Sequence, residues 1–109
     1  MSRILLVASL LLTSTVMAQD DARQTRGKEV YEHWCTPCHG PNPRKHPGTS
    51  ALQLLYRGER PAVLEERDDL TPEIVAFYVR NGVSIMPFFR KTEISDEDLA
   101  AMGAYLTPD

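Results

Sequence analysis

Positive charge is scarce in this chain. Twelve Lys and Arg stand against fifteen Asp and Glu, a formal net charge of −3. That excludes the strongly basic footprint of a nucleic-acid-binding domain. Cysteine is scarcer still: there are two, too few for a disulfide scaffold and set close together. Glycine and proline number 6 and 8 in 109 residues, below the level of a low-complexity or disordered chain. No apolar run reaches the roughly 20 residues that a membrane-spanning helix needs. There is no internal repeat. What remains is about one domain's worth of chain.

The longest apolar stretch is Ile4 to Val16, behind the basic start Met1-Ser2-Arg3 and ahead of Val16-Met17-Ala18 and the polar Gln19-Asp20-Asp21. A charged start, a short apolar segment and a small-residue end are what a signal peptidase cuts. Residues 1–18 are therefore expected to be a secretory signal, 19–25 a loose terminus and 26–109 the functional domain. Removing 18 residues leaves 91 of the 109, and losing Arg3 takes the net charge from −3 to −4. The product is expected to be soluble and periplasmic. A chain that small buries a modest share of its surface and commonly leans on a disulfide, metal or cofactor.

The staple is expected at Cys35-Thr36-Pro37-Cys38-His39. C-x-x-C-H is the attachment motif of c-type haem. Each thiol adds across one vinyl group to form a thioether. Two intervening residues let a single helical turn present both sulfurs along one edge of the porphyrin. The adjoining His can then offer its imidazole nitrogen to iron. Three other chemistries fit less well. A thioredoxin-like redox pair wants a βαβ setting, and no strand pattern surrounds the motif. A zinc site wants four ligands, and the other two histidines, His33 and His46, lie at no usual spacing. A disulfide between Cys35 and Cys38 closes a loop too short to stabilise much.

The remaining chain reads as helices and loops. Residues 26–38 suggest a first helix, with Val30 and Trp34 four apart and Gly27 and Tyr31 four apart. Pro41, Pro43 and Pro47 mark 40–48 as a loop. Short helical turns are expected over 51–56, ended at Gly58, and over 61–66. Thr71-Pro72 is an N-cap and first-turn pair, opening a helix to about Arg80 that Asn81-Gly82 stops. Ser95 caps a last helix whose first turn carries Asp96, Glu97 and Asp98, where the helix dipole favours acids. Leu99, Met102 and Leu106 form its apolar row.

An iron bound by His39 has an opposite face to fill. Met102 lies within the periodic face of the last helix, where packing accounts for it. Met86 lies in the loop between two helices, stiffened by Pro87, and is the expected second axial ligand. His33 and His46 are rival ligands, more simply read as surface histidines.

Cys35-x-x-Cys38-His39, then Met86-Pro87, then a capped helix ending Ala104-Tyr105-Leu106, resemble a small monohaem class I cytochrome c. The resemblance spans nearly all of the chain after residue 18. It implies an all-α fold of about three to five helices wrapped around one covalently attached haem c. It also implies that Gly27 and Tyr31 pack against the last helix, facing Met102 and Tyr105. Many relatives set a proline carbonyl against the proximal imidazole N–H, and Pro47 is the expected counterpart, with Pro41 its rival. Val83, Ile85, Phe88 and Phe89 are expected around Met86, and Ile85 and Phe88 are counted with Pro47 among the haem contacts. Arg57, Arg60, Arg67, Trp34 and Arg90 are the available donors for the propionates. The segment Arg80 to Phe89 resembles more narrowly the cytochrome subunits of flavoprotein dehydrogenases, of the p-cresol methylhydroxylase type. That implies a non-enzymatic one-electron carrier fed by a flavoprotein that oxidises phenols or alcohols. Two other roles stay open: a general carrier to a terminal oxidase or peroxidase, and a haem protein that binds external ligands.

Overall fold

The computed structural model describes residues 2–108, with side chains from Ser14 onward. The apolar side chains of the expected signal before Ser14 lie outside the described residues. Helix α1 runs Ser2–Trp34. Residues 19–25, expected to be a loose terminus, continue this helix, and Gln24 Nε2 donates to the Ala104 carbonyl at 2.9 Å. The helix stops because Pro37 has no N–H to offer and its ring would crowd the carbonyl four residues back. The backbone re-forms as a single turn, α2, Thr36–His39. Here the Cys35 carbonyl accepts from the N–H groups of Cys38 (3.1 Å) and His39 (2.8 Å).

Helix α3 spans Pro47–Tyr56. It starts four residues earlier than the expected 51–56, because Pro47 occupies the first turn, where its missing N–H costs nothing. It ends at Arg57, which takes the left-handed conformation at φ 50° one residue before Gly58. A 3₁₀ turn covers Leu64–Glu66. Helix α4, Pro72–Asn81, begins as expected: the Thr71 side chain accepts from the Ile74 N–H. Helix α5, Asp96–Leu106, begins with the Ser95 side chain accepting from the Asp98 N–H. The described residues contain no sheet, only one bridge between Val83 and Met86.

The core lies where α1, α4 and α5 meet. Val30, Tyr31, Val79, Ile94, Met102 and Leu106 are buried there. The closest approach is between α1 and α5. A Cβ on Gly27 would overlap the Ala101 carbonyl and stand 2.8 Å from the Tyr105 Cβ. Glycine is needed for proximity here, not for an unusual dihedral. Gly27 thus meets Ala101 and Tyr105, while Tyr31 sets its ring 5.7 Å from that of Tyr105 and shares the core with Met102.

Candidate haem site

Beside this core lies a cavity of about 470 Å³. The helix breaks decide what faces it. The turn α2 brings Cys35 and His39 to one wall, and α3 supplies Leu52, Leu55 and Tyr56. Arg60, Leu64, Arg67, Asp69 and Leu70 come from the segment between α3 and α4. Ile74, Val75, Tyr78 and Val79 come from α4, Val83 and Met86 from the loop after it, and Met102 and Leu106 from α5. The lining is mostly apolar, as a porphyrin face requires, with a few polar groups among it.

His39 is largely enclosed. Burial pulls its pKa below the ordinary value, which keeps the imidazole neutral and in its metal-binding form. Its Nδ1 is buried with no hydrogen-bond partner among the described residues. Pro47, expected to hold that nitrogen, does not line the cavity and is exposed. The neighbour of the ring is Gly48: a Cβ there would stand 2.9 Å from His39 Cε1 and 3.1 Å from Nδ1. The loop behind the motif is fixed by Thr49, whose buried hydroxyl donates to the Gly40 carbonyl at 2.6 Å.

The two thiols differ. Cys35 is half-buried and Cys38 exposed, and neither forms a disulfide. Burial, then the neighbouring Cys38, pushes the Cys35 thiol up to about 12. Its Sγ lies 3.4 Å from Met102 Sδ. Met102 therefore both packs in the core and closes the cavity behind Cys35.

Met86 is set by a tight reversal. Val83 N–H donates to the Met86 carbonyl (3.1 Å) and Met86 N–H to the Val83 carbonyl (2.9 Å). Ser84 takes φ 55° at the bend. Gly82, at φ 68°, leaves no room for a Cβ, which would fall 2.6 Å from the Met86 carbonyl oxygen. The reversal turns Val83 and Met86 to the cavity and carries Ile85 away, 82% exposed. Phe88 is also turned outward. Ile85 and Phe88, expected as haem contacts, are therefore not cavity residues. Phe89 instead packs edge-on against Trp34, with ring centroids 5.7 Å apart.

Of the five expected propionate donors, Arg60 and Arg67 line the cavity, while Trp34, Arg57 and Arg90 do not. Arg67 donates to both oxygens of Asp69 (2.7 and 2.8 Å) and to the Tyr56 hydroxyl (2.8 Å). Arg60 and Arg67 each lie 5.2 Å from the centre of the Tyr56 ring. His33 meets Trp34 edge-on and His46 bonds the Asn42 carbonyl, and neither reaches the cavity. Leu52, Leu55 and Tyr56 go beyond the sequence expectations. Their spacing of three and four is the signal that marks a shared helix face.

The profile of the family described as cytochrome C oxidase, cbb3-type, subunit III matches residues 22–106. The chain belongs to this family of c-type cytochromes. The cytochrome is also 31% identical over 97 residues to the 4-cresol dehydrogenase [hydroxylating] cytochrome c subunit of Pseudomonas putida. That match covers 89% of this chain and 72% of the relative. No solved structure matches. The cytochrome carries one haem c, and its role is electron transfer. The cavity fits that group: apolar walls, a motif thiol, a neutral imidazole with an orphaned buried nitrogen, and a thioether on the loop. No helix among the described residues is long and apolar enough to cross a membrane.

Proposed function

We propose that the cytochrome is an exported one-electron carrier that takes electrons from a flavoprotein dehydrogenase of phenolic or alcohol substrates. The meeting of Cys35, His39 and Met86 in one apolar cavity carries the site assignment. The 4-cresol dehydrogenase relative supports the partner. Cys35 and Cys38 would hold the haem through thioethers, and His39 and Met86 would be its iron ligands. Met102 is the other cavity sulfur, but it is committed to Cys35 and the core, whereas Met86 sits on a loop. A haem held on both faces by His39 and Met86 would offer no open place to substrate or dioxygen. Haem c supplies one-electron exchange between Fe(II) and Fe(III). The Met86 thioether and the dry walls favour the reduced, less charged state. Arg60 and Arg67, with Tyr56, receive the propionates. Residues 1–18 act as the export signal and are removed, leaving the domain in the periplasm.

Optical spectra of the exported protein test the ligands. The oxidised form is expected to show the weak far-red sulfur-to-iron band, and Met86→Ala to lose it. A band that survives Met86→Ala would overturn that ligand set. For the partner, a flavoprotein dehydrogenase turning over 4-cresol should reduce the cytochrome within mixing experiments. No reduction, with the haem spectrum intact, would remove this partner.

A second reading rests on the family description, which names an oxidase subunit. It makes the cytochrome a general donor to a terminal oxidase or peroxidase. Rapid oxidation by such an enzyme, without reduction by the dehydrogenase, would favour it.

A further inference from the structure

Arg80 has no place in the cavity, yet it is the most heavily committed cation near the Met86 loop. It lies in the last turn of α4, with its side chain 22% exposed. Nη1 donates to the carbonyls of Phe89 (3.2 Å) and Ile94 (2.8 Å). Nη2 donates to Asp96 at 2.9 Å, at the start of α5. One guanidinium thus spans the end of α4, both ends of the strap that follows Met86, and the beginning of α5. The backbone adds one bond across the same gap, from the Phe89 N–H to the Val79 carbonyl at 2.7 Å. At the other end of the strap Ile94 is fully buried.

We infer that Arg80 is the latch that keeps the Met86 loop closed over the cavity, a positioning residue for the axial sulfur. The inference rests on the assignment of Met86 as ligand. The reversal at 83–86 is held by its own two hydrogen bonds, so it can swing as a unit. What stops it is the anchoring of its C-terminal arm at Phe89 and Ile94. Without the guanidinium, both carbonyls lose their donor, and an orphaned, half-buried acceptor favours an arrangement that lets water reach it. That arrangement is the open loop. A lysine carries one ammonium in place of a planar fork and does not reproduce the three-way geometry. Latch strength then decides whether the protein behaves as a closed electron carrier or admits external ligands.

The test is imidazole titration of the oxidised holoprotein, followed by loss of the far-red band. Arg80→Leu is expected to raise the apparent imidazole affinity by about tenfold, because affinity scales with the fraction of open loop. Arg80→Lys should fall between wild type and Arg80→Leu, and keeps the test available if the leucine variant does not fold. Arg26→Leu is the control. It removes the Arg26–Asp98 pair between α1 and α5 (2.8 Å), which touches none of the groups that Arg80 holds, and should leave imidazole affinity unchanged. Wild-type affinity in both Arg80 variants, with the Met86-dependent band present, overturns the latch. An equal rise in Arg26→Leu also overturns it, since general loosening would then explain the effect. A wild-type protein lacking the Met86-dependent band would remove the ligand assignment itself, and the latch with it.

Discussion

The two sides of this molecule are held together in different ways. Where α1 meets α5, backbone lies against backbone at Gly27 and Ala101, and Tyr31 and Met102 are almost fully enclosed. Nothing is missing from that contact. The cavity side is built from separate pieces: a one-turn helix, a proline-started helix, a looped arginine segment and a hydrogen-bonded reversal. Leu55, Ile74, Tyr78 and Val83 all line it while remaining largely exposed. Apolar surface of that extent is stable only when covered. The packed side is thus specified by the chain alone, and the cavity side is specified by chain and haem together. Small domains that cannot bury enough surface complete their core with a bound group.

Substitutions on the two sides should fail differently. The largest effect is expected from Gly27→Val, which drives a side chain into the Ala101 carbonyl. Backbone offers no flexible end to move aside, so the loss should reach about 3 kcal/mol or more. Denaturant unfolding of the holoprotein checks this, with the far-red band lost only as the whole fold is lost. Next comes Thr49→Val, on the haem side. It removes the donor to the Gly40 carbonyl, leaving a buried acceptor unpaired for about 1–3 kcal/mol. Here the far-red band should weaken at lower denaturant than helix content does. If the two transitions stay superimposed, the division into two kinds of region is wrong.

Smaller effects should appear at the extremes of pH. Tyr105, on the packed side, donates to Glu65. Burial, then that bond and the Glu65 charge, push its pKa from 10.0 up to about 12. The folded state therefore keeps a proton that the unfolded chain releases in that interval. Its contribution is complete below pH 10 and is lost as pH rises toward about 12. Tyr105→Phe should flatten this alkaline decline in thermal midpoint, and an unchanged slope would assign the decline to other groups. Asp69, on the haem side, is held from 3.8 down to about 2, chiefly by its hydrogen bonds from Arg67. Its contribution is present above pH 3.8 and disappears as pH falls toward about 2. The pair is open to solvent, so Asp69→Asn should alter the acid limb slightly and only at low salt.

The local signals were legible in the sequence. Cys35, Cys38 and His39 declare their chemistry by spacing, and Thr71 and Ser95 mark helix starts that the structure keeps. Met86 stands out because a loop methionine lacks the packing that accounts for Met102. The differences between expectation and structure share a cause. Pro47 reads as a loop residue among three prolines, yet it opens a helix, and only the path of the chain after Gly40 decides between the two. Ile85 and Phe88 look like pocket residues by composition, but the bend at Ser84 turns Ile85 outward. Residues 19–25 look loose because they are polar, yet they lie within α1, with Gln24 bonded to the far end of the chain. Likewise, nothing near Arg67 in sequence ranks it above Arg90. Its partner Tyr56 lies eleven residues away.

The placement of Met102 beside Cys35 also imposes an order in time. Cys35 and Cys38 leave the ribosome well before α5 does. Until α5 arrives, the wall behind Cys35 does not exist and the thiol stands open to solvent. Once α5 has docked, that approach is blocked by the Met102 sulfur. Under the proposed thioether attachment, the covalent step is cleanest on a chain whose last eleven helical residues have not yet closed, and the closing of α5 then seals a bond already made.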